Sequence, residues 1–460
     1  MEHTKEENRE LAEAPVMRLL LRLAIPTVIA QLVNLLYNMV DRIYVGRIPE
    51  VGTQALAGLG VTFPIVMLVS AASALSGMGG ASRAAIAMGK GDHEKAEKYL
   101  GNATLVLVLL AIVLTVVFQI TKNPILLAFG ASEATLPYAS SYLSIYLLGT
   151  IFVQISLGLN MFITNQGFAK TSMATVCIGA VLNIILDPIF IFGCRMGVRG
   201  AALATVLSQA VSAVWVLRFL TGKKTILRLQ IRYMKPEGRI IGSMLALGVS
   251  PFIMQSTESL IQLIFNTGMQ TYGNDVYVAV MSILFSIMQI VWLPIQGFAQ
   301  GAQPIVSYNY GAGNIDRVKK CFRILFTICI SFSVGIVVLI ELIPQVFIGI
   351  FTPDAAVVEI GTPALRVFMI GMSLMGAQCA CQQTFLALGE SLISMFLALL
   401  RKVILLAPLA LLLPVWTGWG VWGLFIAEPV SDILAVCTTV AMFVFRSRKL
   451  WKRAEKSACI

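Results

Sequence analysis

The sequence predicts an all-α polytopic membrane protein, with twelve transmembrane helices in two pseudo-symmetric six-helix bundles. Three observations carry this prediction. Of the 460 residues, 58% are apolar and only 12% charged, against roughly 25% charged in a soluble domain. The apolar residues fall into runs long enough to cross a hydrocarbon core, which takes about 20 helical residues. The second half of the chain also repeats landmarks of the first at a nearly constant offset.

The first 18 residues carry charges of both signs and no small-residue cleavage motif. The first apolar run, 19 to 45, is therefore a retained helix and not a signal peptide. Charges, Gly and Pro then delimit spans at 55 to 82, 99 to 120, 136 to 164, 171 to 194 and 200 to 221. After a basic stretch at 222 to 239 come spans at 240 to 272, 276 to 307, 321 to 343, 357 to 388, 392 to 415 and 420 to 445. The expected lobes are 1 to 228 and 229 to 460. An even number of spans puts both termini on one side. That side holds 26 of the 34 Lys and Arg residues, in the N-terminal segment, the 83 to 98 stretch, the central linker, the 317 to 323 stretch and the tail, with Lys170 and Arg218. Arg42, Arg47, Lys122, Arg195 and Arg199 fall on the other side. Both termini are therefore expected to be cytoplasmic. The same distribution reads the net charge of +11 as topology, with no nucleic-acid partner. Eight cysteines lie singly, and the closest pair, Cys379 and Cys381, lacks CxxC spacing. Neither a disulfide framework nor a cysteine metal site follows.

The repeat is specific at single residues. At an offset of 222, Gly89 and Gly91 fall on Gly311 and Gly313, Gly149 on Gly371 and Gly167 on Gly389. One residue further on, Gly197, Gly200 and Ser208 fall on Gly420, Gly423 and Ser431. Six spans per half relate the two bundles by an axis along the membrane normal, an arrangement that encloses a cavity near the midplane.

Polar residues inside the spans mark candidate sites, because a stripe facing lipid would be too costly. The first span carries Gln31, Asn34, Asn38 and Asp41 on one face, with Tyr37 one turn before Asp41. Asn183 and Asp187 stack four apart in the fifth span, Thr205 with Ser208 or Gln209 lies in the sixth, and Asn160 in the fourth. Two carboxylates, Asp41 and Asp187, among these neutral oxygen donors suit a hard cation such as sodium, or a proton on a desolvated carboxylate. The competing reading makes each acid a helix cap, with Pro188 opening a local turn beside Asp187. In the second half, Gln255, Glu258, Gln262, Gln296 and Gln300, like Gln31 and Asn34, are candidates for lining the substrate cavity. Interhelical hydrogen bonding by the amides is the alternative. Arg401 and Lys402 lie at about the depth of Glu428 and Asp432, which predicts an ion-pair cluster between the last two spans, with substrate contact as the alternative.

The segments YNMVDRIYVGR (37 to 47), NQGFAKTSM (165 to 173), NIILDP with GVRGAALATVLSQ (183 to 209), and GFAQGAQPIVSYNYGAGN (297 to 314) resemble the multidrug and toxic compound extrusion (MATE) transporters. Within them, the chain is similar to the DinF-like branch that contains the MepA exporters. The resemblance covers the whole chain. It implies a cation-coupling site at Asp41, Asn183, Asp187 and Thr205, with Tyr37 and Asn160 adjoining. Other branches pair a glutamate on the seventh helix with an acid on the tenth. Glu258 is similar to the first, but the tenth span offers Gln378, Gln382 and Gln383.

The expected function is antiport of H+ or Na+ against amphipathic, mostly cationic drugs and dyes by alternating access, in a bacterial cytoplasmic membrane. The working unit is a monomer in contact with lipid, and no cofactor is implied beyond the coupling ion. A lipid-linked precursor flippase would want a markedly basic cavity, whereas the candidates here are acids and amides. A membrane-embedded enzyme is disfavoured, because His3 and His93 lie in polar segments and no nucleophile, acid and base converge at an interface.

Overall fold

The computed structural model describes residues 10–129, 131–351 and 354–458, apart from the side chains of Thr53, Ser259, Asp275 and 448–458. Among the described residues twelve spans follow in order. The first six are α1 (Val16–Gly46), α2 (Gly52–Gly89), α3 (His93–Ala128), α4 (Leu136–Leu148 with Thr150–Asn165), α5 (Ala169–Gly193) and α6 (Val198–Thr221). The second six are α7 (Gly238–Tyr272), α8 (Asp275–Gly311), α9 (Ile315–Leu342), α10 (Ala355–Ala387), α11 (Ser391–Trp416) and α12 (Val421–Ala458). Eleven are long and apolar enough to cross a bilayer, and the two halves of α4, bent by 58°, make the twelfth.

The departures from expectation are local. The span predicted at 136 to 164 breaks after Gly149, and α10 is interrupted at Ser373 and Leu374. The polar run after residue 118 reads as a stop, yet α3 continues to Ala128. It can do so because Gln119 donates to the Ser144 carbonyl and Lys122 reaches Gln119 and Ser144, so these polar groups are satisfied against α4. A short helix, Pro344–Gly349, fills part of the connection between α9 and α10.

The repeat is written in the backbone. Gly91 and Gly313 share φ near +77° and +76°, Gly167 and Gly389 take +94° and +78°, and Gly197 and Gly420 take +57° and +54°. Each pair ends a span or opens the next in its own half, where left-handed backbone favours glycine. Gly149 and Gly371 also correspond. A Cβ on Gly149 would meet Val206 of α6, and one on Gly371 would meet Pro429 and Asp432 of α12, so each glycine lets two helices of its bundle pack closely.

The bundles meet through α1 against α8 and α2 against α7, with small residues at both crossings, as close helix packing in a membrane requires. A Cβ on Gly301 would strike Ala24, one on Gly297 would strike Val28, and Gly79 and Gly248 abut the carbonyls of Met244 and Leu75. Gly89 packs on the Tyr308 carbonyl and Gly311 on that of Ile86, a reciprocal contact at the 222-residue offset. Among the described residues, the hydrogen bonds between the two bundles run from the Gln31–Gln300 level to the end where the termini lie. They include Gln303 to Ser82, Arg83 to the Gly389 carbonyl, and Asn309 and Arg317 to the Leu11 carbonyl. The bundles are thus joined at the terminal end. The start of the linker is strapped to the first bundle: Gln166 Oε1 accepts from Thr225, Ile226 and Leu227 at 2.8 to 2.9 Å.

Candidate functional site

The first bundle encloses a cavity of about 860 Å3, counting its open mouth, between α1, α4, α5 and α6, with Gln300 of α8 closing one edge. Its walls are mostly neutral polar groups. Gln31, Asn34 and Tyr37 come from α1, Asn160 from α4, Asn183 from α5 and Thr205 from α6, and Gln31 Nε2 donates to Gln300 Oε1 at 3.2 Å. Seven sequence candidates, Gln300 among them, are thereby gathered from five helices. The spacing of 3 and 4 along α1 puts them on one face, and close packing of α1 on α5 turns that face toward Asn183 and Asp187.

The two acids lie at the outer end of this network. Asp187 is fully buried, and its carboxyl group meets that of Asp41 within hydrogen-bonding reach. Asn183 Nδ2 donates to Asp187 Oδ1 at 3.3 Å and to Thr205 Oγ1 at 3.4 Å, and Thr205 Oγ1 donates to the Ala201 carbonyl. Asp41 Oδ1, Asp187 Oδ2 and Asn183 Oδ1 are buried yet accept no hydrogen bond from a donor among the described residues. Neither acid caps a helix, since Asp41 lies inside α1 and Asp187 inside α5. Pro188 cannot donate to the preceding turn, and α5 widens directly after it into a π-helical segment, Ile189–Gly193. Two carboxyl groups in contact away from water are stable only with a proton or cation between them.

Tyr142 and Tyr146, one turn apart on the first half of α4, complete this end. Both are buried, and their rings stack with centroids 6.1 Å apart. In the sequence they resemble ordinary packing aromatics, and only the offset of four that aims both rings the same way could have flagged them. Further hydroxyls and amides of the wall bond one another: Ser156 to Gln209 at 2.6 Å, Thr164 to Ser172 at 2.7 Å, and Asn160 to the Ser172 carbonyl at 3.2 Å.

A second cavity, about 520 Å3 with its mouth, lies in the other bundle between α7, α8, α10 and α11. Gln255, Glu258 and Gln296 line it; Gln262, half-buried, lies outside both cavities. Glu258 is not a lone charge. Lys402 Nζ stands 3.1 Å from its Oε1 and 3.9 Å from Glu428 Oε1, while Arg401 donates to Asp432 at 2.8 Å and to Glu428 at 3.4 Å. The expected ion-pair cluster forms, with Glu258 as an added member and Arg401, not Lys402, on Asp432. The cause is a second π-helical segment, Leu400–Leu406, whose wider turn directs adjacent Arg401 and Lys402 into the bundle. Among the described residues no group of three or more His, Cys, Asp or Glu side chains is arranged to hold a metal ion.

Two pseudo-equivalent six-helix bundles, joined at one end and carrying polar cavities within the membrane span, define a polytopic membrane transporter. The MatE family model matches residues 26–189 and 251–412, once in each bundle, and the chain belongs to the MatE family. It is 27% identical over 447 residues to the multidrug export protein MepA of Staphylococcus saprophyticus, covering 96% of this chain and 97% of that one. It is 26% identical over 450 residues to the multidrug export protein MepA of Staphylococcus aureus strain NCTC 8325, covering 95% of each. Among solved structures, a MATE protein in the bent conformation matches with a TM-score of 0.90 at 24% identity, over 97% of this chain and 99% of that one. The outward-facing conformation of a multidrug resistance MATE family transporter matches at 0.89 and 25% identity, over 96% and 98%.

Proposed function

We propose that this protein is a multidrug efflux transporter driven by exchange with H+ or Na+, exporting amphipathic, mostly cationic drugs and dyes by alternating access. The observation that carries the coupling is the Asp41–Asp187 contact with its unpartnered buried oxygens. Asp41, Asp187, Asn183 and Thr205 offer carboxylate, amide and hydroxyl oxygens, the hard donors that sodium takes, and either carboxylate can instead carry a proton. Tyr37 and Asn160 adjoin this set along the cavity wall. Export names borne by relatives along nearly the whole chain support the transport direction. The cavity's amides and hydroxyls support the substrate class over the strongly basic wall that a lipid-linked precursor would need. With both termini cytoplasmic and the lobes, 1 to 228 and 229 to 460, joined at that end, the conformation is outward-facing.

In this cycle an ion entering from outside bridges the two carboxyl groups, α1 shifts against α5, and substrate on the adjoining amides loses affinity. Linkage makes the effect mutual: the factor the ion removes from substrate affinity is the factor substrate removes from ion affinity. The test is dye efflux from proteoliposomes under separately imposed sodium and proton gradients. Efflux above the no-gradient rate under at least one of them is expected; equal rates in all three conditions refute ion coupling.

A further inference from the structure

The outer surface of the second bundle holds a charge pair that neither cavity includes. Glu341 of α9 and Arg366 of α10 stand with Oε2 and Nε 4.0 Å apart, too far for a hydrogen bond. Glu341 Oε1 has no donor, and the guanidinium donates no hydrogen bond among the described residues, although the Arg366 side chain is 54% exposed. Apolar surface flanks the pair on both sides. Val338, Leu339 and Ile370 are exposed toward the termini, and Val346 and Ile350, at the short helix Pro344–Gly349, are exposed beyond it. The repeat shows that the open pair is particular to this bundle. At the offset of 222, Gln119 and Ser144 occupy the places of Glu341 and Arg366. There Gln119 donates to the Ser144 carbonyl at 2.7 Å, and Lys122 reaches both side chains, so the first bundle satisfies its polar groups internally. Lys122 falls on Pro344, which brings no donor. Glu341 lies 18 residues beyond Arg323 on α9, about 27 Å. With Arg323 at the terminal-side edge of a hydrocarbon core about 30 Å thick, the pair reaches the headgroups of the opposite leaflet.

We infer that Glu341 and Arg366 form a lipid site, for a phospholipid headgroup that joins a phosphate to a primary ammonium. The phosphate takes the Arg366 guanidinium and the ammonium takes the Glu341 carboxylate, each by a charge-assisted hydrogen bond. The charges beside the pair select this headgroup. A phosphate without an amine would bring its negative charge next to Glu341 and toward Glu359, which is exposed two turns outward on the same face of α10. A choline headgroup carries a positive charge but has no N–H to give Glu341. The bound lipid ties α9 to α10 from outside, as Lys122 ties α3 to α4 within the first bundle. Neither acid of the coupling site takes part, and binding is read without an ion gradient, so this proposal and the coupling proposal fail independently.

The test is native mass spectrometry of the purified, delipidated full-length protein with equal amounts of phosphatidylethanolamine, phosphatidylcholine and phosphatidylglycerol of identical acyl chains. Wild-type protein is expected to carry the phosphatidylethanolamine adduct in about fivefold excess over either of the others. Glycerophosphoethanolamine, the same headgroup without chains, is expected not to displace it at equal concentration. Glu341→Gln leaves Arg366 as a lone cation and is expected to put phosphatidylglycerol ahead. Arg366→Gln is expected to lower the phosphatidylethanolamine adduct without raising phosphatidylglycerol, and Arg366→Lys to keep the wild-type order. Equal wild-type adducts, or an excess of phosphatidylcholine or phosphatidylglycerol, overturns the proposal whether or not the variants fold. Displacement by glycerophosphoethanolamine overturns the lipid as the ligand. A wild-type order kept in folded Glu341→Gln or Arg366→Gln protein also overturns the site.

Discussion

Asp41 and Asp187 show what a single residue can and cannot reveal in a sequence. The spacing of four between Asn183 and Asp187 predicts a shared face, and the structure places a hydrogen bond there. The contact between Asp41 and Asp187 is invisible to spacing, because it joins residues 146 positions apart through the packing of α1 on α5. Gln262 shows the opposite failure. Its helical spacing keeps it on the face of Gln255, but it lies two turns, about 10 Å, further along α7, past the stretch of that helix that lines the cavity. Asp41→Asn and Asp187→Asn nearly preserve volume while removing the charge that a bridging ion requires. Each is expected to leave a folded, membrane-inserted protein, seen as a single gel-filtration peak, and to reduce gradient-driven dye efflux to the no-gradient rate. Wild-type efflux in either well-folded variant would remove that residue from the coupling role.

At the scale of elements, the spans were legible from their apolar runs, and their internal breaks were not. Gly149 sits in an unbroken apolar stretch where glycine is tolerated in membrane helices, so nothing local separates a kink from a straight helix there. The π segment at Ile189–Gly193 follows a proline that hints at it, but Leu400–Leu406 has no such marker before it. Its signal is the pair Arg401–Lys402, since adjacent charges cannot both face the interior of a regular helix. The crossing of α1 and α8 carries a prediction. Gly301 packs against Ala24, so Gly301→Val must push the helices apart at the end where the lobes are joined. Overpacking of this kind costs about 1–3 kcal/mol, which shifts the population away from this conformation by about tenfold for every 1.4 kcal/mol. Spin labels at Lys90 and Lys320, one per lobe and both exposed, are expected to show a longer distance in the variant. An unchanged distance distribution would mean that this crossing does not hold the lobes together.

At the scale of the whole molecule, two independent asymmetries meet. One is electrostatic: Lys and Arg concentrate in the connections on the terminal side, the bias that the positive-inside rule associates with a cytoplasmic side. The other is mechanical: among the described residues, the hydrogen bonds between the lobes end at the Gln31–Gln300 level and run from there toward the termini. Together they predict a cavity sealed from the cytoplasm and reached from outside. A cysteine replacing Lys224, exposed in the linker, should react with a membrane-impermeant maleimide only in inverted vesicles. A cysteine replacing Asn34, on the cavity wall, should react in intact cells, and should be slowed by a dye that occupies the cavity. Labelling of Lys224→Cys from outside would overturn the orientation whatever the conformation. Labelling of Asn34→Cys only in inverted vesicles, with Lys224→Cys behaving as expected, would keep the orientation and show that the resting protein opens to the cytoplasm. In that case the glycine crossings would be the contacts that part during the cycle, and the seal would have to form at the opposite end, between the outer halves of α1, α2, α7 and α8.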